Sequence, residues 1–223
     1  MKILKEYFKS KQFKDDIKEL GDTVLFVVIA MMIIRFFIFD VRWIPSESMV
    51  PTLKIRDRLI VERYSRFYKA PERGDIMVFY PPYLPTGQKY ELKNGPILLF
   101  KRLTGFFCDD VAFIKRVIGL PGEKFEIKCD KNAECTVYID DKPLNEPYIS
   151  TKKYLKDCID PRSNCGPFII PENQYMMLGD NRDSSWDSRY WGTLERSRFI
   201  GRATFRFWPI TRIKMLNTKN TSE

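Results

Sequence analysis

The chain contains no histidine among its 223 residues. This absence excludes a Ser-His-Asp triad and every metal site that needs an imidazole ligand. The five cysteines include no C-x-x-C pair, which argues against a cysteine-only zinc site. No glycine-rich phosphate loop or RNA-binding signature is present either. The sequence therefore predicts no metal site, no cofactor and no nucleic acid partner.

The charges are unbalanced, with 38 Lys and Arg against 29 Asp and Glu, which gives a net charge of +9. Such an excess is compatible with nucleic acid, with anionic lipid or with an ordinary solvated surface. Because the nucleic acid signatures are missing, we expect a solvated surface that is also attracted to anionic membrane lipid.

One long apolar run lies near the N-terminus. Residues Thr23 to Phe39, "TVLFVVIAMMIIRFFIF", are apolar apart from Arg35, and as a helix they would span roughly 25 Å. A cleaved export signal and a buried core helix are the alternatives. No small-x-small cleavage site follows the run, so the sequence predicts an uncleaved transmembrane anchor over residues 23–39.

The residues on either side of this run predict its orientation. Residues 1–22 contain six lysines, which favours a cytoplasmic basic tail. The chain would then cross the membrane once, and residues 40–223 would form an extracytoplasmic domain. The cysteines agree with an oxidising exterior, because Cys129 and Cys135, like Cys158 and Cys165, flank short polar stretches and could form disulfides. Cys108 would stay unpaired; metal ligation and free buried thiols remain alternatives.

Beyond the run, short β-type segments alternate with turn signals, which predicts a mainly β fold. A polar segment over about 123–171 holds four of the five cysteines and is interpreted as a β-rich insertion. The strands are predicted within Asp57–Tyr64, Gly74–Tyr80, Asp110–Gly122, Lys124–Lys128 and Thr136–Asp140. The stretch Ile97–Phe107 fits either a helix or a strand.

Two serines stand close together in "IPSESMVPTL", residues Ile44 to Leu53. A serine nucleophile needs a neighbouring base, and without histidine the main candidate is a lysine. A lysine must lose about three units from a pKa of ~10.4, worth roughly 4 kcal/mol, which requires burial. Residues alone do not decide whether Ser46 or Ser48 would attack.

One lysine satisfies this requirement. In "VAFIKRVIG" the two-residue period of a strand places Lys115 on the same face as Phe113 and Val117, while Arg116 points the other way. A lysine in such a strand is also common without catalysis, because its long side chain can reach solvent. Together with the serine stretch, Lys115 is the candidate general base.

A third stretch, "LGDNRDSSWDSRYWG" from Leu178 to Gly192, is unusually dense in polar groups. If this loop is buried, each group needs a partner. Asp187 could pair with Arg189, which would leave a serine hydroxyl free to orient Lys115. A solvated surface loop is the alternative.

These three stretches, with "RGDIMVF" at Arg73–Phe79 between them, closely resemble the ordered sequence boxes of bacterial type I signal peptidases. The resemblance extends to about Trp208. It implies a Ser/Lys-dyad serine protease of the plasma membrane with a signal-peptidase-like β-barrel or sandwich body. Such an enzyme removes signal peptides from exported preproteins after small residues, in an Ala-X-Ala pattern, and could act beside the secretion translocon.

The resemblance also implies roles for individual residues. Ser48 would be the nucleophile and Lys115 the general base. Ser46 would donate to the oxyanion, together with the main-chain N–H of Ser48, and Ser185 would orient the lysine. Asp187 and Arg189 would form a supporting ion pair. Shallow substrate pockets for alanine-sized side chains would be lined by Ile44, Met49 and Ile114.

The chain departs from the family pattern at two positions near these residues. Glu47 replaces a frequent glycine, and Ser184 replaces a common asparagine. Two other functional classes remain open. A Ser/Lys self-cleaving repressor should carry a DNA-binding domain in place of the apolar run, and an inactive tethered binding module should tolerate loss of Ser48 or Lys115.

Overall fold

The computed structural model describes residues 11–91, 95, 111–152, 158 and 163–216. The chain divides into two compact units, residues 1–38 with 94–108 and residues 39–93 with 109–223. All strands described belong to the second unit. Cys108 and the stretch Ile97–Phe107 lie outside the described residues.

Helix α1, Lys11–Ile33, is the main described element of the first unit, and a π-helical segment, Ile34–Ile38, follows it. Its first half is rich in charged side chains, whereas its second half is aliphatic and exposed, with Phe26 71% accessible. Phe39 already belongs to a strand.

Over the span 23–39 that the sequence predicts as a transmembrane anchor, regular α-helix ends at Ile33 and a π-helical segment continues to Ile38. Across the part of the chain that the structure describes, no helix combines the length and the apolar character that a membrane crossing requires.

The second unit is mainly β, as predicted. Its strands are β1 Phe39–Trp43, β2 Arg58–Glu62, β3 Ile76–Phe79, β4 Phe113–Gly119, β5 Lys124–Cys129, β6 Cys135–Ile139, β7 Lys142–Pro143, β8 Phe168–Ile169, β9 Gln174–Leu178, β10 Leu194–Glu195, β11 Phe199–Trp208 and β12 Lys214–Met215. A short helix α2, Ser188–Trp191, and 3-10 turns at Tyr64–Phe67, Arg182–Ser184, Arg196–Arg198 and Ile210–Arg212 connect them.

The larger sheet has the strand order β1-β2-β11-β3-β4-β9-β10, with β12 added to β11. Its pairings are all antiparallel. Strand β3 consists of apolar residues because both of its faces are packed. Ile76 and Val78 join one apolar cluster, whereas Met77 and Phe79 join another. Alternation along the strand thus places both faces of the sheet centre against packed side chains.

The smaller sheet has the order β7-β6-β5-β8 and lies within residues 124–169. Its own apolar cluster includes Phe125 and Val137 and extends to Met176 of β9. The disulfides Cys129–Cys135 and Cys158–Cys165 are both formed, as expected from their spacing. The first bridges the β5–β6 hairpin between directly paired residues.

Candidate active site

Ser48 and Lys115 lie together although 66 residues separate them in the chain. Lys115 Nζ is 2.8 Å from Ser48 Oγ and 3.1 Å from the carbonyl oxygen of Ile114. Ser48 is 6% and Lys115 4% accessible to solvent. The charged lysine donates to the serine oxygen; once neutral, the amine can instead accept the hydroxyl proton. The geometry is that of a nucleophile beside its base.

Lys115 owes its burial to its position in the centre of the larger sheet. It is paired with Met77 of β3, and its Nζ lies 5.6 Å from the centre of the Phe113 ring on the same face. Burial lowers the pKa of Lys115 from its ordinary value of 10.5 to about 8, although the carboxylates of Asp187 and Asp180 act in the opposite direction. A useful fraction of the amine is therefore neutral near physiological pH.

Ser48 is carried by a turn between β1 and β2. Main-chain bonds from Ile44 N to Asp57 O and from Arg56 N to Ile44 O, both 2.9 Å, close the base of this segment. Asp57 is buried and accepts from the side chains of Arg206 and Arg212. Asn181 N donates to the carbonyl of Ser48 at 3.1 Å, so the third sequence stretch fixes the Ser48 backbone directly.

The other serines of the site differ in exposure. Ser46 is exposed, and its Oγ lies 3.4 Å from Ser48 Oγ. Ser185 is buried, and its hydroxyl lies close enough to favour the ionised form of Asp187. However, the Ser185 Oγ meets hydrogen-bond geometry with no group in the described part of the chain. The structure thus places Ser185 in the site without a bond to Lys115.

Asp187 and Arg189 form the ion pair expected from the sequence. Arg189 donates to Asp187 through its main-chain N–H, its Nε at 2.8 Å and its Nη2 at 2.9 Å, and both side chains are inaccessible to solvent. Gly179 N also donates to Asp187 at 3.0 Å. Burial opposes ionisation, but Arg189 and Gly179 outweigh it and hold the pKa of Asp187 below its usual value.

The three residues predicted to line substrate pockets lie in one apolar cluster. Ile44, Met49 and Ile114 are all buried and pack with residues of β2, β3 and β11. They bring an apolar surface up to the turn that holds Ser48.

The sequence did not predict the buried ion pair that lies on the opposite face of β4. Arg116 makes a two-pronged ion pair with Asp180, with N–O distances of 2.8 and 2.6 Å, and Thr52 donates to the same carboxylate at 2.5 Å. Strand alternation predicted the direction of Arg116 but did not reveal its partner. A cavity of about 460 Å³ opens on this face, and none of its lining residues belongs to the dyad.

The comparisons with known proteins agree with this geometry. Residues 17–208 match the family described as signal peptidase, peptidase S26. The chain is 41% identical over 198 residues to a probable signal peptidase I-2 of Synechocystis sp., covering 89% of this chain and 76% of that protein.

Two further relatives carry the same type of name. A signal peptidase I of Leptolyngbya laminosa is 40% identical over 89% of this chain and 81% of its own length. Signal peptidase I S of Bacillus subtilis is 31% identical over 92% of this chain and 96% of its own length. With a serine and a buried lysine in contact at its centre, the chain belongs to the signal peptidases of peptidase family S26.

Proposed function

We propose that Ser48 and Lys115 are the nucleophile and the general base with which this signal peptidase removes signal peptides from exported preproteins. The observation that carries the proposal is the 2.8 Å contact between Ser48 Oγ and Lys115 Nζ in a buried setting. Lys115 is the only described lysine whose pKa burial lowers to about 8.

The chemistry follows from this contact. Neutral Lys115 takes the hydroxyl proton as Ser48 Oγ attacks the scissile carbonyl, which gives a tetrahedral oxyanion and an ammonium. The ammonium then gives its proton to the leaving amine, and an acyl ester remains on Ser48. A water molecule attacks the ester while Lys115 takes the water's proton, and Ser48 recovers its hydrogen from the ammonium when the signal peptide leaves as its carboxylic acid.

The oxyanion and the base need further groups. The exposed hydroxyl of Ser46, 3.4 Å from the nucleophile, is proposed as an oxyanion donor together with the main-chain N–H of Ser48. Ser185 is proposed to orient Lys115, because its buried hydroxyl has no hydrogen-bond partner among the described residues and such a group is costly unless it is satisfied. Asp187 and Arg189 hold the loop that carries Ser185.

Substrate selection is proposed to depend on Ile44, Met49 and Ile114. They are buried in one apolar cluster beside Ser48, which supports selection of small apolar side chains in an Ala-X-Ala pattern. Glu47, the residue before Ser48, is exposed.

Membrane lipid is proposed as a partner on the basis of the exposed aliphatic half of α1, where Val24, Leu25 and Phe26 are each more than half accessible. The two disulfides favour an oxidising, extracytoplasmic place for the second unit. The single-pass orientation, with residues 1–22 in the cytoplasm, stays a prediction, as do the insertion boundaries 123–171 and an association with the translocon.

The test is cleavage of a purified preprotein in detergent by the parental enzyme, Ser48→Ala and Lys115→Met. We expect both variants to lose cleavage, and mass spectrometry of the parental products to place the cut after a small residue. Thr193→Ser, a hydroxyl change between α2 and β10, is the matched control and should cleave at the parental rate. Cleavage by Ser48→Ala or Lys115→Met at the parental rate would rule the dyad out.

A further inference from the structure

The smaller sheet contributes a buried acidic side chain to the catalytic loop. Glu146 follows β7 and forms an ion pair with Arg182, whose side chain is fully buried, as that of Glu146 nearly is. Arg182 lies in the loop between β9 and α2 that also carries Ser185 and Asp187. A buried ion pair of this kind is strongly destabilising when one partner is lost.

Arg182, the partner of Glu146, also forms hydrogen bonds with residues at both ends of the catalytic loop. Its Nε donates to the carbonyl of Gly179 at 3.1 Å, and its own carbonyl accepts from Arg189 Nη2 at 2.7 Å. Gly179 is in turn held by Asp187 through its N–H. The peptide groups around Gly179, against which Ser185 packs, are thus fixed from one side by Asp187 and from the other by Arg182.

Tyr148 links the same glutamate to β4. Its hydroxyl donates to Glu146 Oε1 at 2.9 Å, and its ring lies 4.0 Å from the guanidinium of Arg116. Arg116 is the neighbour of Lys115 and the partner of Asp180. Burial, aided by the charge of Glu146, raises the pKa of Tyr148, so the hydroxyl remains a donor at any working pH.

We propose that Glu146, assisted by Tyr148, is a positioning residue for catalysis: it holds Arg182, and through Arg182 the loop that sets Ser185 and Lys115 against Ser48. This inference rests on the proposed function of the dyad. It gives the segment after β7, which the sequence suggested only as part of an insertion, a direct part in the active site.

The charges of the cluster supply a readout that a purely structural role would not move. Three buried guanidinium groups and three buried carboxylates face one another behind the dyad, namely Arg116, Arg182 and Arg189 with Asp180, Asp187 and Glu146. The cluster is therefore neutral when Lys115 is neutral. Among the groups around the amine, Asp187, Asp180 and Arg189 act on it directly, Met77 and Phe113 carry no charge, and Glu47 is exposed.

Removing one partner of the Glu146–Arg182 pair should shift the Lys115 titration in a direction that depends on which partner is lost. Glu146→Gln leaves an extra positive charge, which disfavours the ammonium and moves the acidic limb of the rate profile to lower pH. Arg182→Gln leaves an extra negative charge and moves the limb to higher pH. Each shift is expected to be about 0.3 to 1 pH unit.

The experiment measures kcat, KM and the pH profile of kcat for the full chain in detergent, with a signal-peptide substrate. Glu146→Gln is expected to lower kcat about 10-fold through loss of positioning, with KM within about twofold of the parental value. The double variant Glu146→Gln with Arg182→Gln should return the limb toward its parental pH. The control is Glu126→Gln, which removes a partly exposed pair with Lys128 in the same sheet and should leave every parameter unchanged.

The inference is overturned if Glu146→Gln keeps the parental kcat, or if kcat falls while the limbs of both single variants stay at the parental pH. If Glu146→Gln shows no cooperative unfolding transition, Tyr148→Phe is the deciding variant, because it removes only one hydroxyl. A kcat two- to fivefold below the parental value, caused by the loss of one positioning bond, supports the inference. A parental kcat overturns it. Ser48→Ala separates the two proposals, because activity in that variant refutes the dyad, whereas an inactive Ser48→Ala with a parental Glu146→Gln refutes only this inference.

Discussion

Gly179 lies directly against Ser185. A Cβ atom built on Gly179 would be 2.2 Å from Ser185 Oγ and 2.5 Å from the carbonyl oxygen of Ser48. These distances are far inside van der Waals contact, and one of the two atoms belongs to the main chain of Ser48 itself. The absence of a side chain at position 179 is therefore a condition for bringing the catalytic turn and the third sequence stretch together.

We therefore expect Gly179→Ala to lower the cleavage rate strongly and to have a smaller effect on thermal unfolding. The methyl group must push Ser185 or the Ser48 carbonyl aside, and a displacement of about 1 Å at the reacting groups is enough to lower the rate about 100-fold. Steady-state kinetics with a signal-peptide substrate, beside thermal unfolding, checks this. Gly21→Ala is the control, because nothing lies within 4 Å of the added methyl group; a Gly179→Ala enzyme as active as Gly21→Ala would contradict the packing argument.

Asp180→Asn should destabilise the protein strongly. The change leaves the guanidinium of Arg116 buried without its counter-ion and removes the charge that Thr52 binds, and the loss of one partner of a buried pair costs about 3 to 5 kcal/mol. Chemical denaturation measures it.

The matched control is Asp141→Asn, which breaks the exposed pair with Lys124 and should leave the denaturation midpoint unchanged. Equal midpoints for the Asp180 and Asp141 variants would mean that the Arg116 pair does not hold the sheet to the catalytic loop.

Ser46→Ala should lower kcat by about 10² to 10³, as for the loss of one oxyanion donor, and leave KM nearly unchanged. Because Ser46 is exposed, the fold should not suffer. The matched control is Ser197→Ala, an exposed serine in the turn before β11. A parental kcat for Ser46→Ala would remove this hydroxyl from the mechanism.

Much of this site could be predicted from the sequence, and the reasons are local. The absence of histidine made a buried lysine necessary, and the period of strand β4 identified Lys115 and the direction of Arg116. The ion pair of Asp187 with Arg189 was also accessible, since its partners are two residues apart. Each of these inferences needed only the geometry of one segment.

What escaped prediction depends on segments that are far apart in the chain. Glu146 and Arg182 are 36 residues apart, and nothing in either segment specifies the other. Strand β11 was missed because Gly201 and three register irregularities interrupt its alternation, although it pairs with β2, β3 and β12. Hydropathy also did not reveal that, within the predicted anchor of residues 23–39, α-helix ends at Ile33 and a strand begins at Phe39.

Burial of Lys115 should weaken the fold at neutral pH. Its pKa in the folded chain lies below the unfolded value, so the unfolded chain binds the proton more tightly. The fall from 10.5 to about 8, at about 1.4 kcal/mol per pH unit, corresponds to about 3 kcal/mol. This cost is present in full below pH 8 and disappears as the pH rises toward 10.5.

Lys115→Met should therefore be more stable than the parental chain at pH 7, by up to about 3 kcal/mol, and the gain should vanish near pH 10.5. Denaturant titrations at several pH values measure the difference. Lys131→Met, at an exposed position in the β5–β6 turn, should show no such gain, and a Lys115→Met variant that is less stable than the parental chain at pH 7 would contradict the burial cost.

The central claim is that burial makes the Lys115 amine neutral in a range where it can deprotonate Ser48. Its most direct test is an NMR titration of lysine side chains labelled with ¹³C at Cε, with the Lys115 signal identified by its loss in Lys115→Met. We expect a midpoint near pH 8 for this signal, together with a rate that rises through the same pH. A midpoint near 10.5, as for a solvated lysine, would show that burial does not make the amine neutral in this range.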